Sequence, residues 1–425
     1  MSVVLDREER AMLDGQRGRA VQEAMSIIVQ MADAIGADEL VKVEQAHIDA
    51  CALMAPSNFD FVSRIVEQGG RVAVPTTLNM VSLDLEHWQE LRVPAAFAEE
   101  AMQIANAYLQ LGCIPTWTCA PYQGYLTPRF GQQIAWGESN AVVYANAVLG
   151  ARTNRYADYM DVCAAVAGRV PNTGLHLHEN RRGQILLRLP AVREEAWSSP
   201  ASWAALGHLI GERLGSRIPV IEGLPIHAST DQLKALGAAA ASAGAVAMFH
   251  AVGITPEAPD LSTAFHGGPP PETFDVSTDD LRQAWEEMSQ AQVGEPVDSI
   301  VLGCPHFSYD EFRELAEAIQ ATSGTVHENV ELLVLTSSAS FALAQRRGLI
   351  APIRRFGAKI AFDTCLFHSP IVPEEAHVLM TNSGKAAYYA PGELGVRVAF
   401  ASLDQCVHSA VCGRVQMGGA PWGTS

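Results

Sequence analysis

The chain has 425 residues, of which 48% are hydrophobic and 18% charged, and its formal net charge is −18. This is the composition of a globular protein long enough for two domains or one large compound domain. Such an acidic balance argues against nucleic acid and against an anionic membrane surface as partners. No stretch approaches the roughly 20 consecutive apolar residues of a membrane helix, so a membrane-spanning protein is not expected.

The first half of the chain opens with a predicted helix over residues 6–36, where apolar residues recur mostly at helical spacing. A short strand is predicted at 71–74, a helix at 94–111 and a buried helix at 140–149. The first ten residues include five charged side chains and lack the apolar core of a signal peptide. We therefore expect a cytoplasmic protein.

Strands and helices alternate in the second half of the chain, after a change in pattern near residues 217–230. Apolar strands that alternate with helices predict an α/β fold with mostly parallel sheets and helices on both faces. We expect two regions, 1–222 and 223–425. The predicted strands are 245–249, 299–302, 331–335 and 359–362, and the predicted helices are 229–242, 278–290, 309–322 and 338–347.

Two cysteines occupy matching places just after predicted strands, Cys304 in Gly303-Cys-Pro-His306 and Cys365 in Phe362-Asp-Thr-Cys365. Ligands bind outside the carboxyl ends of strands in open parallel sheets, so the two thiols could share one metal ion. Cys119, also followed closely by a proline, is a third candidate. Free cysteine is more often a small core residue. That interpretation stays open for these three and is kept for Cys51, Cys113, Cys163, Cys406 and Cys412.

Other patterns are weaker indications of function. His176 and His178 would face the same way on a strand and could bind a metal such as zinc, although solvated or core histidines are commoner. The chain has no Walker A, Gly-x-Gly-x-x-Gly or Gly-x-Ser-x-Gly sequence, which disfavours nucleotide binding and serine hydrolase chemistry. Polar residues flank the buried helix at 138–140 and 152–155. They form either a capped junction or a carboxylate-binding site, to which arginine is suited.

Eight segments of the chain, in order, resemble the aconitase X family over nearly its whole length. Each segment alone is a weak pattern, whereas the ordered set is specific. The segments are Ala46-His-Ile-Asp49, Val74-Pro-Thr-Thr-Leu-Asn79, Thr118-Cys-Ala-Pro-Tyr122, Trp136-Gly-Glu-Ser-Asn-Ala141, Asn146-Ala-Val-Leu-Gly-Ala-Arg-Thr153, Gly303-Cys-Pro-His306, Phe362-Asp-Thr-Cys365 and Thr381-Asn-Ser-Gly-Lys385.

The resemblance implies an aconitase-like, multi-domain large subunit with an iron–sulfur cluster or a mononuclear iron. The positions that match the family's three cysteine ligands are Cys119, Cys304 and Cys365. Thiolates suit iron, and three ligands leave an iron position open for Lewis-acid catalysis. The implied reaction is the loss of water from a small hydroxy acid. In aconitase relatives a serine on a swivelling domain is the base. Here the resemblance implies a separate small swivelling-domain subunit as partner.

The resemblance also suggests roles for individual side chains. Arg152 and Lys385 could hold the substrate carboxylate, and Ser139, Asn140 and Ser383 could hydrogen-bond the substrate. We expect His306 either to relay a proton or to fix its loop through a hydrogen bond. Further substrate-binding candidates are Thr77, Asn79 and Thr153.

The family has two known substrates, cis-3-hydroxy-L-proline and 5-phosphomevalonate. The stretch after Thr153, with its aromatic residues at 156 and 159, resembles the hydroxyproline type. A phosphate also needs compensating positive charge, and the pair Arg181 and Arg182 keeps the phosphomevalonate alternative open. Two interpretations from other classes are a metal-free binding or regulatory homologue and a zinc hydrolase.

Overall fold

Residues 3–53 and 56–422 are described by a computed structural model, in which the chain divides into two units. The first unit ends at Arg182, and the second begins at Gly183. Each unit is built on parallel sheets, described in turn below.

The first unit consists of short strands among longer helices. Its elements are α1 (Arg7–Leu13), α2 (Arg19–Ile35), β1 (Leu40–Lys42), β2 (Ala46–Ile48), α3 (Pro56–Glu67), β3 (Thr76–Leu78), α4 (Ala95–Gln110), β4 (Ala135–Trp136), α5 (Ser139–Ala147), α6 (Met160–Ala167) and β5 (Arg169–Pro171).

Two details of the first unit differ from the sequence prediction. The predicted helix 6–36 is two helices, because Gly15 and Gly18 adopt positive φ angles of 79° and 98° between α1 and α2. The strand predicted at 71–74 lies further along, as β3. Residues 72 and 73 instead donate backbone hydrogen bonds to Leu111 and Ala165, outside any sheet.

The central sheet of the first unit has the strand order β3-β2-β4, and β2 pairs in parallel with both neighbours. β1 and β5 form a separate antiparallel pair. The residues that follow β2, β3 and β4 therefore emerge at one carboxyl edge. These residues are Asp49, Asn79 and Gly137.

The second unit alternates strands and helices, as the sequence predicts. Its elements are β6 (Ile185–Arg188), α7 (Pro200–Leu214), β7 (Pro219–Glu222), α8 (Thr230–Ala243), β8 (His250–Ala251), α9 (Leu261–Ala264), β9 (Thr273–Asp275), α10 (Thr278–Glu287), β10 (Ser299–Phe307), α11 (Tyr309–Ala321), β11 (Glu331–Thr336), α12 (Ser338–Arg346), α13 (Ile350–Phe356), β12 (Lys359–Phe362), β13 (Val378–Thr381), α14 (Gly384–Glu393), β14 (Arg397–Phe400) and α15 (Leu403–Cys412).

Two wholly parallel sheets organise the second unit, with strand orders β8-β7-β6-β9 and β12-β11-β10-β13-β14. Because β6 pairs with β7 and β9, residues 183–222 pack with the second unit. The unit boundary thus lies earlier in the chain than the 222/223 division suggested by sequence.

The five-stranded sheet is buried on both faces. Ile300 and Leu302 of β10 join an apolar cluster with residues of α11, α13 and α15. Val301, which points to the opposite face, is equally buried, with 1% of its surface exposed. Burial on both faces explains why these strands read as continuous apolar runs. The predicted α/β class with parallel sheets and helices on both faces is confirmed.

Candidate active site

Three chain segments of the second unit meet at the carboxyl edge of the five-stranded sheet. Cys304 lies in β10, Cys365 comes three residues after β12, and Ser383 comes two residues after β13. The strands are parallel, so these segments share the edge at which ligands bind in open α/β sheets. The strand-end positions predicted for Cys304 and Cys365 therefore lie at one edge of the same parallel sheet.

The strand that carries Cys304 is bent just before the thiol. Gly303 has a φ of 95°, and a Cβ there would lie 2.0 Å from the carbonyl oxygen of Leu335. The pairing of β10 with β11 shifts between Leu302 and Phe307, and the Cys304–Pro305 peptide is cis. Within β10, Cys304 is half-buried while the other residues are buried. The Gly-Cys-Pro sequence thus presents one thiol from a buried strand.

A pocket opens beside Cys304 at the start of α14. The residues that line it include Gly303, Cys304, Ser383 and Lys385. Ser383 caps α14 by accepting a hydrogen bond from the backbone N–H of Ala386 at 3.0 Å, and its hydroxyl donates to the Cys304 carbonyl. The structure therefore joins three of the predicted site residues in one pocket, with the Lys385 side chain beside a helix N-terminus.

Gly384 allows α14 to begin close to two other helices. A Cβ at this position would lie 2.9 Å from Cβ of Ala239 and 3.1 Å from Cβ of Ala204. The Ser-Gly-Lys sequence therefore combines a helix cap, a close helix approach and a cation at one point of the fold.

His306 is buried and faces away from solvent, with 2% of its surface exposed. Its Nε2 lies 2.8 Å from the backbone carbonyl of Thr364, the residue before Cys365. A carbonyl can only accept, so Nε2 carries the proton in this hydrogen bond. The imidazole thus ties the segment of Cys304 to the segment of Cys365. This contact matches the loop-fixing role, one of the two roles expected for His306.

Sequence reasoning missed a charged cluster that also borders the pocket. Lys234 of α8 forms ion pairs with Asp231 at 2.9 Å and with Glu311 of α11, and both Lys234 and Glu311 line the pocket. Burial raises the pKa of Glu311 to about 7, although the charge of Lys234 opposes the shift. Burial acts to lower the pKa of Lys234, but the two carboxylates outweigh it and raise this pKa. The sequence signal for Glu311 is the Ser-x-x-Glu capping box that begins at Ser308.

In the first unit, Asn79 and Thr77 stand at the carboxyl end of β3. Asn79 donates its side-chain N–H to the carboxylate of Asp49, which follows β2. The hydroxyl of Thr77, fully buried, lies 2.8 Å from Nδ1 of His47. Burial lowers the pKa of His47 to about 3, so its imidazole is neutral at physiological pH. The two predicted binding residues therefore belong to a buried hydrogen-bonded edge.

Cys119 and Asn140 are linked by a hydrogen bond within the first unit. The side-chain amide of Asn140 donates to the carbonyl of Cys119 at 2.9 Å and accepts from the hydroxyl of Tyr122 at 2.7 Å. Ser139, half-buried, donates to Glu138 at 3.2 Å, and Glu138 caps the N-terminus of α5. The predicted residues Ser139 and Asn140 are thus gathered at a helix N-terminus beside Cys119.

Arg152 and Thr153 lie in a junction that follows α5. Arg152 donates to the carbonyl of His176 at 3.1 Å. The hydroxyl of Thr153 accepts from the backbone N–H of Trp136 at 3.1 Å, and Asn146 bonds both the N–H and the carbonyl of Thr153. Thr153 is fully buried, and these hydrogen bonds are those of a capped junction rather than an open cleft.

The histidine pair at 176 and 178 does not face one way. The segment forms two 3₁₀ turns, Gly174–His176 and His178–Arg181, rather than the strand that the pairing required. His176 is buried, and burial together with the charges of Arg181 and Arg152 lowers its pKa to about 3. His178 is exposed. The structure thus removes the basis for a zinc site at this pair.

The cysteines differ in how accessible their thiols are. Cys304 and Cys365 are half-buried, and Cys119, in the first unit, is 8% exposed. Thiolate formation is hindered in apolar surroundings. Burial raises the pKa of four other thiols, Cys51, Cys113, Cys163 and Cys406.

Soft thiol donors at a strand-end edge fit iron or an iron–sulfur cluster by ligand type. Within residues 3–53 and 56–422, however, no three His, Cys, Asp or Glu side chains already stand together as a metal-binding group.

Three family models match consecutive parts of the chain. They are the first domain of aconitase X at residues 2–179, the second domain at 183–286 and the third domain at 297–412. The chain belongs to the aconitase X family. The start of the second family domain at 183 agrees with the start of the second structural unit.

Solved and curated aconitase X relatives resemble the chain over most of its length. The crystal structure of Thermococcus kodakaraensis aconitase X (holo-form) has a TM-score of 0.85 and 33% identity, covering 96% of this chain and 100% of that one. A cis-3-hydroxy-L-proline dehydratase from Pseudomonas aeruginosa is 44% identical over 98% of this chain and 72% of its own length. A phosphomevalonate dehydratase large subunit from Methanothermobacter thermautotrophicus is 36% identical over 94% of this chain and 96% of its own length.

The two curated relatives are named dehydratases, and this aconitase X chain is an enzyme of the same hydro-lyase type. Among the described residues, no helix is long and apolar enough to cross a membrane.

Proposed function

We propose that the chain is the large subunit of a dehydratase that removes water from cis-3-hydroxy-L-proline. The observation that favours this substrate is the pattern of sequence identities to the relatives. Two cis-3-hydroxy-L-proline dehydratases, from Pseudomonas aeruginosa and Hypocrea jecorina, are 44% and 41% identical to the chain. Five phosphomevalonate dehydratase large subunits are 31–36% identical.

Cys119, Cys304 and Cys365 are the residues that would hold an iron–sulfur cluster or a mononuclear iron in this proposal. When bound, the iron supplies a Lewis acid for the leaving hydroxyl. Support comes from the half-buried thiols of Cys304 and Cys365 at one sheet edge and from the link that His306 makes between their segments.

Lys385 and Arg152 hold the substrate carboxylate in this proposal. Lys385 is the second residue of α14, so its ammonium adds to the partial positive charge of a helix N-terminus. Arg152 gives one N–H to His176, and a guanidinium has five such donors, which is compatible with carboxylate binding. Ser383 at the same helix start and Ser139 and Asn140 at the start of α5 hydrogen-bond the substrate.

Thr77, Asn79 and Thr153 orient the binding groups of the first unit, because their hydrogen bonds fix the carboxyl edge of its sheet. His306 has the same orienting role in the second unit.

A separate small subunit supplies the base that removes the proton next to the carboxylate in this proposal. The five relatives named large subunits are covered over 94–99% of their own length. The two cis-3-hydroxy-L-proline dehydratases are longer, and the chain covers 72% and 69% of them.

Dehydration of 5-phosphomevalonate is the second candidate, favoured by the relatives named for it. The charge available for a phosphate is less than the sequence suggests. Arg181 is fully buried and donates to Asn146 and to the carbonyl of Leu175. The arginine pair at 181 and 182 therefore offers weak support for a phosphate site.

The test is anaerobic co-expression with a candidate small subunit, followed by iron and sulfide analysis and assays of both acids. We expect bound iron and dehydration of cis-3-hydroxy-L-proline. Cys119→Ala, Cys304→Ala and Cys365→Ala should lose both iron and activity. Cys412→Ala, which alters an exposed thiol outside the site, should keep both.

Activity on 5-phosphomevalonate alone would keep the mechanism and overturn the substrate. A protein without iron under anaerobic conditions would contradict the mechanism and favour a metal-free binding homologue. Full activity of the chain alone would contradict the small-subunit proposal.

A further inference from the structure

A buried cluster of three ionisable side chains lies directly behind the segment that carries Cys304. The side chains of Lys234, Asp231 and Glu311 are 3%, 8% and 11% exposed. The Lys234 ammonium pairs with both carboxylates, at 2.9 Å to Asp231 and within hydrogen-bond contact of Glu311. The two helices that bear the cluster, α8 and α11, are thereby joined through one cation.

The cluster binds the Cys304 segment at several points in succession. The Lys234 ammonium lies 3.4 Å from the carbonyl oxygen of His306, two residues after Cys304. The hydroxyl of Ser308 donates to Asp231 at 2.7 Å, and the backbone N–H of Ser308 donates to Glu311 at 2.8 Å. All three side chains of the cluster therefore form contacts with the segment that runs from Cys304 to Ser308.

Stability alone is a weak reason for such an arrangement. Replacing a buried ion pair or triad by apolar residues of similar volume is often neutral or stabilising, because removing charges from water is costly. Buried ionic groups are better suited to specifying one geometry. In this protein, that geometry is the bend of β10 beside the pocket. Lys234 and Glu311 also line this pocket.

We propose that Lys234, held between Asp231 and Glu311, is a positioning residue that fixes the Cys304 thiol by binding the backbone of the next residues. The importance of this thiol for iron rests on the function proposed above. The fixing of the thiol itself does not, and it can be measured without iron.

The test measures the alkylation rate of each cysteine in the full-length chain, freed of iron with a chelator, by mass spectrometry of its peptides. The variant is Lys234→Met. The triple variant Lys234→Met, Asp231→Asn, Glu311→Gln is also measured, because it leaves no unpaired buried charge and so avoids the main cause of misfolding. We expect Cys304 to react about fivefold faster or more in a folded variant, since a half-buried thiol becomes more accessible when its segment is no longer held in one conformation.

The chain provides internal controls for this measurement. Cys412 is exposed and reports reagent activity, whereas Cys406 is buried in the core of the same sheet and reports general unfolding. Lys359→Met is the matched control variant. It removes an ion pair with Glu331 at the amino edge of that sheet and should leave the Cys304 rate unchanged.

An unchanged Cys304 rate in the folded triple variant would overturn the proposal. A parallel rise at Cys304 and Cys406 would also overturn it, by showing general destabilisation. In the anaerobic iron-loaded protein, the triple variant should show an altered electron paramagnetic resonance or absorption spectrum, and an identical spectrum would contradict the proposal. If the unmodified chain binds no iron, the proposed function fails, while the alkylation rates still decide the positioning role.

Discussion

Asp161 is a buried carboxyl group that closes the loop after β2 in the first unit. It is fully buried and accepts hydrogen bonds from the backbone N–H groups of Asp49 at 2.6 Å, Ala50 at 3.2 Å and Val162 at 2.7 Å. Burial, with a smaller effect of the Asp158 charge, raises its pKa to about 7. Because Asp49 contacts Asn79 at the sheet edge, Asp161 supports the backbone from which this edge is built.

Asp161→Asn should destabilise the protein by about 1–3 kcal/mol, since the amide N–H₂ would face backbone donors that now bond carboxyl oxygens. The raised pKa means that the stabilisation from Asp161 is full below its ordinary pKa of 3.8 and is lost as the pH rises through about 7. The stability difference between wild type and variant should therefore shrink between about pH 5.5 and pH 8. Chemical denaturation at both pH values measures this difference.

Asp158→Asn provides the control for this prediction, because it alters a half-buried neighbour that contributes to the raised pKa of Asp161. We expect it to change the stability less than Asp161→Asn. If the stability difference between wild type and Asp161→Asn instead grows with pH, the three backbone N–H donors outweigh burial and keep the Asp161 carboxylate ionised.

Gly303 permits the bend of β10, and its replacement should destabilise the protein. Gly303→Ala adds a Cβ that would lie 2.0 Å from the Leu335 carbonyl at a φ of 95°. Gly348→Ala is the matched control, because Gly348 has a φ of 77° with no atom within 4 Å of the added Cβ. The control should cost about 1–2 kcal/mol from the left-handed backbone alone. Gly303→Ala should cost more in denaturant unfolding, and equal losses would contradict the clash.

The elements of the second unit were largely predictable from sequence. β12 coincides with the predicted strand 359–362, and α11 with the predicted helix 309–322 to within one residue. Apolar runs buried on both faces and Ser-x-x-Glu caps mark such elements strongly. The elements of the region 378–412 were not predicted, and α14 contains Pro391, a residue that is unfavourable inside a helix.

Residues of the pocket could be predicted where a reactive side chain stands near the end of a strand in the sequence. Cys304 and Ser383 were identified and share a pocket, because strand ends of a parallel sheet converge. Lys234 and Glu311 were missed, since their ion pair joins residues 77 positions apart and arises from the packing of two helices. A buried cation in an alanine-rich helix has no local signature.

The start of α14 offers an element-scale prediction for Ser383. Ser383→Ala removes the helix cap and the hydrogen bond to the Cys304 carbonyl. Ser402→Ala is the control, because Ser402 caps α15 after the neighbouring strand β14. Each should lose about 1 kcal/mol of stability. Ser383→Ala should also lower kcat/KM about tenfold or more, equivalent to about 1.4 kcal/mol of transition-state stabilisation, whereas equal kcat/KM values for the two variants would contradict a role in the site.

At the scale of the whole molecule, 47 acidic and 29 basic residues give a net charge of −18, but cis-3-hydroxy-L-proline is a zwitterion near neutral pH, so this charge exerts little net long-range force on it. Lys385 at the N-terminus of α14 provides local positive charge at the pocket. Added salt screens the long-range field of the surface more than it screens the short-range contact inside the pocket. We therefore expect KM for cis-3-hydroxy-L-proline to stay level as salt is raised modestly, measured in steady-state assays. A steep rise would indicate that long-range attraction governs binding.

Iron that binds the folded chain and not the unfolded chain must raise the stability of the whole protein. A bound ligand at a hundredfold excess over its Kd contributes about 2.7 kcal/mol. Chelation under anaerobic conditions should therefore lower the Tm, and restoring iron should raise it again. Scanning calorimetry of the unmodified chain, Cys304→Ala and Cys412→Ala measures this effect. The iron-dependent shift should vanish in Cys304→Ala and persist in Cys412→Ala, because the first variant removes a thiolate ligand of the proposed iron site and the second removes an exposed thiol outside that site. A shift of equal size in both variants would place the iron away from the Cys304 pocket.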